Sequence, residues 1–400
     1  MSRYPGAAMR EHFLLDPGLV FLNHGSFGAC PREVVQAQRR WQDELEANPV
    51  AFLSRRSGQL LGQARQAVAR YLGAQAEHLA FVPNATTGVN IVAQSLALQP
   101  GDEVLSTNHE YGACDATFHG VCERRGAVYR KVDIPLPFQA AEFVDRLMAE
   151  VTPRTRLIFL SHITSATALI FPVRELCAAA RARGVLTLID GAHAPGQVPL
   201  NLQAVGADFY TGNGHKWMCG PKGSAFLHVR PEHHAQLQGP VISWGYVAEQ
   251  LQASAQGHEA AVAALERFSG GDTLQRRLQW QGTRDVSAWL ALPQAISFQE
   301  AHDWPTVQAR CHEAAVQTMH TLCQRWGLEP IARDQDFAQM APVPLPPHLA
   351  TDLQQRLFDD SRIEIPVTQH QGRRFLRISV QGYTTAAEVQ ALLDATALAH

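Results

Sequence analysis

A chain of 400 residues, 46% of them hydrophobic and 18% charged, can bury a large core and is expected to divide into a major and a minor domain. Its 34 Lys and Arg stand against 37 Asp and Glu, a formal net charge of -3, so no nucleic acid and no anionic membrane is expected as partner. The seven cysteines include no CxxC pair, which leaves out the common zinc and disulfide frameworks and fits a reducing compartment.

The chain starts Met1-Ser2-Arg3-Tyr4-Pro5-Gly6, and its first apolar stretch is broken by Asp16 and Pro17. That stretch is too short for a signal peptide or a membrane span, so the cytoplasm is the expected location. Residues 1–20 read as an N-terminal arm, 21–285 as a large domain and 286–400 as a small C-terminal domain. After the apolar Leu19-Val20-Phe21-Leu22 comes Asn23-His24-Gly25-Ser26-Phe27-Gly28. This polar, glycine-rich segment either lines a substrate mouth, with Asn23 and His24 as contacts, or simply turns the chain.

A helix is expected after Asn84-Ala85-Thr86-Thr87-Gly88, with Val89, Val92, Ala93 and Leu96 on one face and Pro100-Gly101 as its stop. Thr86 and Thr87 offer hydroxyls and backbone N–H groups at a helix N-terminus, a means of holding a phosphate without a P-loop. Plain N-capping explains one of the two equally well. Beyond the strand around Val104-Leu105, the ring of Tyr111 in His109-Glu110-Tyr111-Gly112 is either a stacking surface for a cofactor or a core aromatic.

Leu157–Leu160 reads as a buried strand, Val173–Arg183 as an Ala-rich helix closed by Gly184, and Val185–Ile189 as the next strand. This βαβ unit has continuously apolar strands, the mark of a parallel sheet covered on both faces, where ligands collect beyond the carboxyl ends of strands. Ser161 and Asp190 fall at such ends. A buried Asp190 is costly unless a cation meets it, although an Asp before Gly is also a common turn former. Farther on, Gly212-Asn213-Gly214-His215-Lys216-Trp217 sets a lysine among glycines. The pair suits a pyridoxal phosphate site, with Lys216 forming the imine and Asp190 on the ring nitrogen. Asn213 and His215 are candidates for further phosphate contacts.

From about Val286 the pattern turns to long helices, then a Pro-rich passage from Pro342 to Pro347, then strand-like Phe375–Val380 and a closing helix. Arg377 is an awkward guanidinium in that apolar strand unless it reaches an anion, either a ligand carboxylate or a structural partner. Hydrolase, Walker and zincin templates all fail on spacing, and no metal is implied.

Leu22–Gly28, Asn84–Gly88, His109–Gly112, Asp190–His193, His215–Trp217, Gly282–Asp285 and Arg377–Ser379 occur in the order of a known family. The chain resembles the class V aminotransferases, pyridoxal phosphate enzymes of fold type I, most closely the isopenicillin N epimerase-like branch. The resemblance implies an α/β fold, with a large domain whose mainly parallel sheet lies between helices and a small α+β C-terminal domain. It further implies that Lys216 carries pyridoxal 5'-phosphate, Asp190 pairs with the pyridine nitrogen, and His193 and Ser165 sit near the ring hydroxyl. Tyr111 would stack on the ring, and Thr86, Thr87, Asn213 and His215 would form the phosphate shell. Arg377 would anchor the α-carboxylate, and Thr283 would reach the phosphate of a second subunit, making a homodimer.

Cysteine desulfurases of the same family carry a nucleophilic Cys on the loop before the position of Arg377, but residues 363–374 contain none. Persulfide chemistry of that type is not expected. The cations of Arg373 and Arg374 in that loop can instead meet a second acid group on a substrate. The expected partner is a small-molecule amino acid, and the expected reaction is epimerisation or racemisation at its α-carbon. In that reaction Lys216 takes the proton, and Tyr111 and His24 are candidates to return one. The alternatives are a C–S β-lyase, an aminotransferase or a non-catalytic binding protein on the same fold.

Overall fold

The computed structural model describes residues 6–254 and 257–397, so the first five residues of the expected arm lie outside the described residues. Seven strands form the central sheet: β2 (Leu79–Val82), β3 (Glu103–Thr107), β4 (Val128–Val132), β5 (Thr155–Ser161), β6 (Leu186–Asp190), β7 (Phe209–Asn213) and β8 (Ala225–Val229). The short strand β1 (Val20–Phe21) precedes them. The order across the sheet is β2-β8-β7-β6-β5-β3-β4, and β8 alone runs against its neighbours.

The inner strands are largely apolar because both faces are covered, whereas the edge strand β4 carries Arg130 and Lys131 and is partly exposed. Along β5, Ile158 and Leu160 enter one core while Leu157 and Phe159 enter the other, as the two-residue period of a strand requires. One cover includes the helix Ala85–Ser95, whose Val89 and Val92 are fully buried, together with Gly112–Arg125. The other includes Val173–Ala182, bounded as the sequence predicts by Arg183 and Gly184.

The C-terminal region holds a three-stranded antiparallel sheet in the order β11-β12-β9. Its strands are β9 (Met340–Pro344), β11 (Val367–His370) and β12 (Arg373–Ser379), and β10 (Ile363–Glu364) lies apart from them. The passage from Pro342 is thus partly a strand. Pro342 and Pro344 fit there because β9 lies at a sheet edge, where a missing N–H costs no ladder bond on the open side. The 23-residue helix Trp304–Trp326 packs against this sheet.

The chain start belongs spatially with this region. β1 pairs in parallel with β10, and Asn23 bridges Ser379. Residues 20–28 therefore cross from the arm to the C-terminal sheet before the chain enters the large sheet, and they bring that region up to the ends of β5, β6 and β7.

Candidate active site

A cavity of about 500 Å³ opens beyond the carboxyl ends of β5, β6 and β7. Its wall includes Thr86, Tyr111, Ser161, Ser165, Asp190, His193, Asn213, His215, Lys216 and Arg377. The structure thus gathers onto one wall residues as distant in sequence as Thr86 and Arg377.

Lys216 follows β7 in a tight turn held by Gly214 N–H to Ser224 O at 2.9 Å and Gly220 N–H to Gly214 O at 2.8 Å. Burial, helped by the nearby Arg377 charge, pulls its ammonium down to about 8. A tenth or so of the amine is then neutral at pH 7, far more than for a solvated lysine. Lys216 Nζ lies 3.2 Å from His193 Nε2. The indole N–H of Trp217 donates to His193 Nδ1 at 3.3 Å, so the imidazole proton resides on Nε2 and points toward the lysine amine. Burial, with Lys216 beside it, holds His193 well below the usual imidazole range, which keeps it neutral.

Asp190 ends β6 with 4% exposure. Its Oδ1 accepts the Ala192 N–H at 2.9 Å, and the thiol of Cys114 lies 3.6 Å from Oδ2. Burial raises its carboxyl, and the Lys216 charge opposes the rise. The next residue must be glycine: a Cβ on Gly191 would lie 2.2 Å from Tyr210 Cε1. Such packing fixes the direction in which the acid leaves the strand.

Asn213 uses its Oδ1 on the N–H of Ala85 at 2.9 Å, while Asn84 Oδ1 accepts from Thr87 N–H at 2.8 Å and from Thr87 Oγ1 at 3.0 Å. The two asparagines satisfy the flanking donors of this helix start, and Thr86 lies between them on the cavity wall. Thr87, expected in a phosphate shell, turns to its cap and is not among the wall residues. His215 Nδ1 donates to Ser224 O at 3.2 Å, which leaves Nε2 for the cavity, and burial lowers its pKa to about 4.

Arg377 reaches the cavity from mid-strand in β12. Alternate residues Arg377 and Ser379 face the loop 24–28, while Leu376 and Ile378 are fully buried. The guanidinium donates to Ser165 O at 2.6 Å and to Ser26 Oγ at 3.2 Å, and its Nε has no partner. It is 3% exposed, and among the described residues no carboxylate comes within ion-pair distance of it. Burial brings even this guanidinium down to about 10.

Two expected substrate contacts lie elsewhere. His24 is fully buried behind the lysine, where Nε2 donates to Lys216 O at 3.1 Å and Nδ1 lies 2.9 Å from the Tyr383 hydroxyl. It supports the backbone that carries Lys216, and burial drives its pKa to about 3. Asn23 spends its amide on Glu364 at 3.2 Å and its oxygen on the Ser26 hydroxyl at 2.5 Å. Both point away from the cavity because the segment is drawn into pairing with the C-terminal strands. Thr283 is exposed and is not on this wall. Arg374 donates to Leu349 O and Ala350 O, and the Arg373 guanidinium lies over the Phe375 ring, so neither lines the cavity.

Sequence reasoning passed over Ser26, Glu110, Cys114 and Lys222. Ser26 and Glu110 stand inside quoted segments, but only the pairing of distant strands reveals what they touch. Lys222, on the wall, donates to Gly28 O at 2.8 Å. Gly28 itself, at φ +70°, leaves no room for a Cβ, which would fall 2.2 Å from His215 O.

The class-V aminotransferase model matches residues 20–392. Isopenicillin N epimerase of Streptomyces clavuligerus is 39% identical over 96% of each chain. A putative L-cysteine desulfhydrase of Oryza sativa subsp. japonica is 31% identical over 95% of this chain and 83% of its own. The solved complex between the cystine C-S lyase C-DES and cysteine persulfide superposes with a TM-score of 0.80 at 22% identity, covering 94% of this chain and 97% of that one, a likeness of fold. The chain belongs to the class-V aminotransferase family.

Proposed function

We propose that this protein is a pyridoxal phosphate-dependent enzyme that inverts the α-carbon of an amino acid, an epimerase like its relative in Streptomyces clavuligerus. The observation that carries this reading is the buried Arg377, whose guanidinium meets no carboxylate among the described residues and faces the same cavity as the depressed Lys216 amine. A buried cation without a counter-ion is unfavourable until a ligand carboxylate supplies one.

The residues fit the cofactor. The helix start at Thr86 and the imidazole of His215 suit its phosphate. Asp190 suits a protonated ring nitrogen, since its raised carboxyl gains a cation. His193 and Ser165, on the same wall, suit the ring hydroxyl. Pyridoxal phosphate, when bound, supplies the electron sink that acidifies the Cα–H bond. The protein's part is to hold the groups around that bond. Arg377 orients the α-carboxylate, Lys216 removes the α-proton once its amine is free, and His193 keeps that amine in place. Of the two groups named for returning a proton, Tyr111 reaches the cavity and His24 does not.

A homodimer accords with Phe27 and Tyr111, which are 74% and 47% exposed at the cavity. The same assembly gives a role to Thr283, directed to the phosphate of a second subunit. Seven free thiols accord with the cytoplasm, and among the described residues no helix is long and apolar enough to cross a membrane.

β-Elimination is the second reading, favoured by the desulfhydrase relative. Persulfide transfer has less support, because among the described residues no cysteine lines the cavity. The deciding test is an NMR time course of the holoenzyme in heavy water with L-amino acids and cysteine conjugates. Exchange with inversion and no new product is expected. Release of pyruvate and a sulfur species would replace the epimerase with a lyase, and a protein that stays colourless with pyridoxal phosphate would refute both.

A further inference from the structure

Glu110 is a partly buried carboxylate just outside the cavity wall, and no cation among the described residues lies within ion-pair distance of it. It stands between the end of β3 and Tyr111. Its Oε2 accepts two bonds from Ser161, one from the backbone N–H at 2.7 Å and one from the hydroxyl at 2.8 Å. Its Oε1 accepts the Thr107 hydroxyl at 2.5 Å. Three donors converge on one acid, each from the last residue of a strand, and the Thr107 hydroxyl and the Ser161 N–H are short enough to be charge-assisted.

We propose that Glu110 is a positioning residue: its carboxylate ties the end of β3 to the end of β5 and thereby sets where Tyr111 and Ser161 stand on the cavity wall. The loop it belongs to is held on one side by His109, whose ring nitrogens meet Thr167 Oγ1 at 2.8 Å and Ile134 O at 2.9 Å, and on the other by Glu110, the residue directly before Tyr111. Tyr111 follows directly, begins the helix Gly112–Arg125 without a side-chain cap, and is half exposed. Its placement must therefore come from its neighbours in sequence, and Glu110 is the neighbour anchored to another strand. Ser161, the other member of the clamp, is the register partner of Asp190 across β5 and β6. One carboxylate therefore reaches both the ring expected over the cofactor and the strand beside the acid expected beneath it.

The clamp also has an electrostatic side. Burial pushes Glu110 up to about 7, with its donors pulling down and the Asp190 charge pushing up. The titratable groups that face it are Asp190 on β6, Cys114 on the following helix and Tyr129 on β4. Above neutrality the charged form tightens all three donor bonds and adds negative field on the Asp190 side of the cavity. Below neutrality one oxygen carries the proton, and a hydroxyl facing it, Thr107 or Ser161, must turn from donor to acceptor.

This inference rests on the proposed cofactor chemistry only in what Tyr111 does, so its test starts with cofactor-free protein. Hydrogen exchange at the Ser161 amide is compared in wild type, Glu110→Gln and Glu110→Ala. Removing the acceptor in Glu110→Ala should speed that exchange about tenfold or more, whereas Glu110→Gln, which keeps an oxygen for Ser161, should stay within about threefold. With cofactor added, wild type should show α-proton exchange whose kcat/KM rises with pH through about 7. Glu110→Gln should lose that limb while binding pyridoxal phosphate within about threefold of wild type. Unchanged Ser161 exchange in Glu110→Ala, or an unaltered pH profile in Glu110→Gln, would overturn the proposal. A wild type that stays colourless would instead refute the cofactor reading and leave the clamp to be judged on the amide alone.

Discussion

The seven-stranded sheet and the three-stranded sheet deliver their polar groups to the cavity in opposite ways. In the large sheet, apolar strands stop and the polar residue comes last: Ser161 ends β5, Asp190 ends β6 and Asn213 ends β7. In the small sheet, Arg377 sits inside β12 between two fully buried residues. A group at a strand end can be reoriented by the loop that follows it, so its burial is adjustable. A guanidinium in mid-strand is fixed by the register, and the opposing surface must supply its partners. Ser165 O and Ser26 Oγ do so in part, which leaves the cation poised for an external anion.

The largest effect expected from breaking this arrangement is at the large-sheet side. Lys216→Ala removes the proposed base and the proposed cofactor attachment together, and should lower α-proton exchange by about 10⁴-fold. Borohydride should fix cofactor to wild type at Lys216 and leave the variant unlabelled. Retention of more than a few per cent of activity would show that another group, and not the strand-end lysine, does the chemistry.

On the small-sheet side the effect is smaller and has two faces. Arg377→Met removes the proposed carboxylate anchor, so KM for an amino acid should rise roughly 10²-fold with a lesser change in kcat. Arg377→Lys keeps the charge but loses the fork, and should fall between. In the ligand-free protein the same Arg377→Met should leave the melting temperature unchanged or raise it, because an uncompensated buried charge is replaced by an apolar chain. A large fall in melting temperature would make Arg377 a structural residue and reverse the comparison.

The two regions also differ in how openly they show in the sequence. Asp190 was legible because four apolar residues end on it, and Lys216 because of the glycines around it; both signals are local. The βαβ unit and its boundaries at Gly184 and Asp190 follow from the same local patterns. Arg377 was visible as an anomaly, a charge in an apolar strand, without any sign of what it faces. His24 went astray for the complementary reason. The glycine-rich segment does form part of the cavity wall through Gly25, Ser26 and Phe27. Pairing of β1 with β10, some 340 residues away, nevertheless turns His24 inward to the Lys216 carbonyl. Glu110 was unreadable because its meaning lies in Ser161, on a strand that is not its neighbour in sequence.

The pH response sharpens the contrast further. In the proposed role only a neutral Lys216 can capture pyridoxal phosphate, and its pKa near 8 lies below that of a free lysine because burial and Arg377 disfavour the charge. Capture by cofactor-free protein should therefore accelerate about tenfold per pH unit up to near 8 and then level off. Arg377→Met removes the smaller of the two causes, so the plateau should begin at higher pH, by a fraction of a unit. A plateau that does not move would mean the two regions are not electrostatically coupled.

The smallest effect belongs to the two arginines that share β12 with Arg377. Arg373 and Arg374 looked suited to a second acid on the substrate, yet they begin the strand and Arg377 lies three and four residues farther on. Arg374 is held by the carbonyls of Leu349 and Ala350, and Arg373 lies 5.5 Å from the centre of the Phe375 ring. Neither reaches the cavity, so Ala at either site should change KM by less than about twofold for substrates with one or two carboxylates. Arg374→Ala should differ in stability alone, losing roughly 1–3 kcal/mol with the two backbone contacts, readable as a lower denaturation midpoint. If Arg373→Ala instead raised KM selectively for a dicarboxylic substrate, the bound state would have to bring the hairpin of β11 and β12 over the cavity. The small sheet would then contribute a moving element as well as a fixed cation.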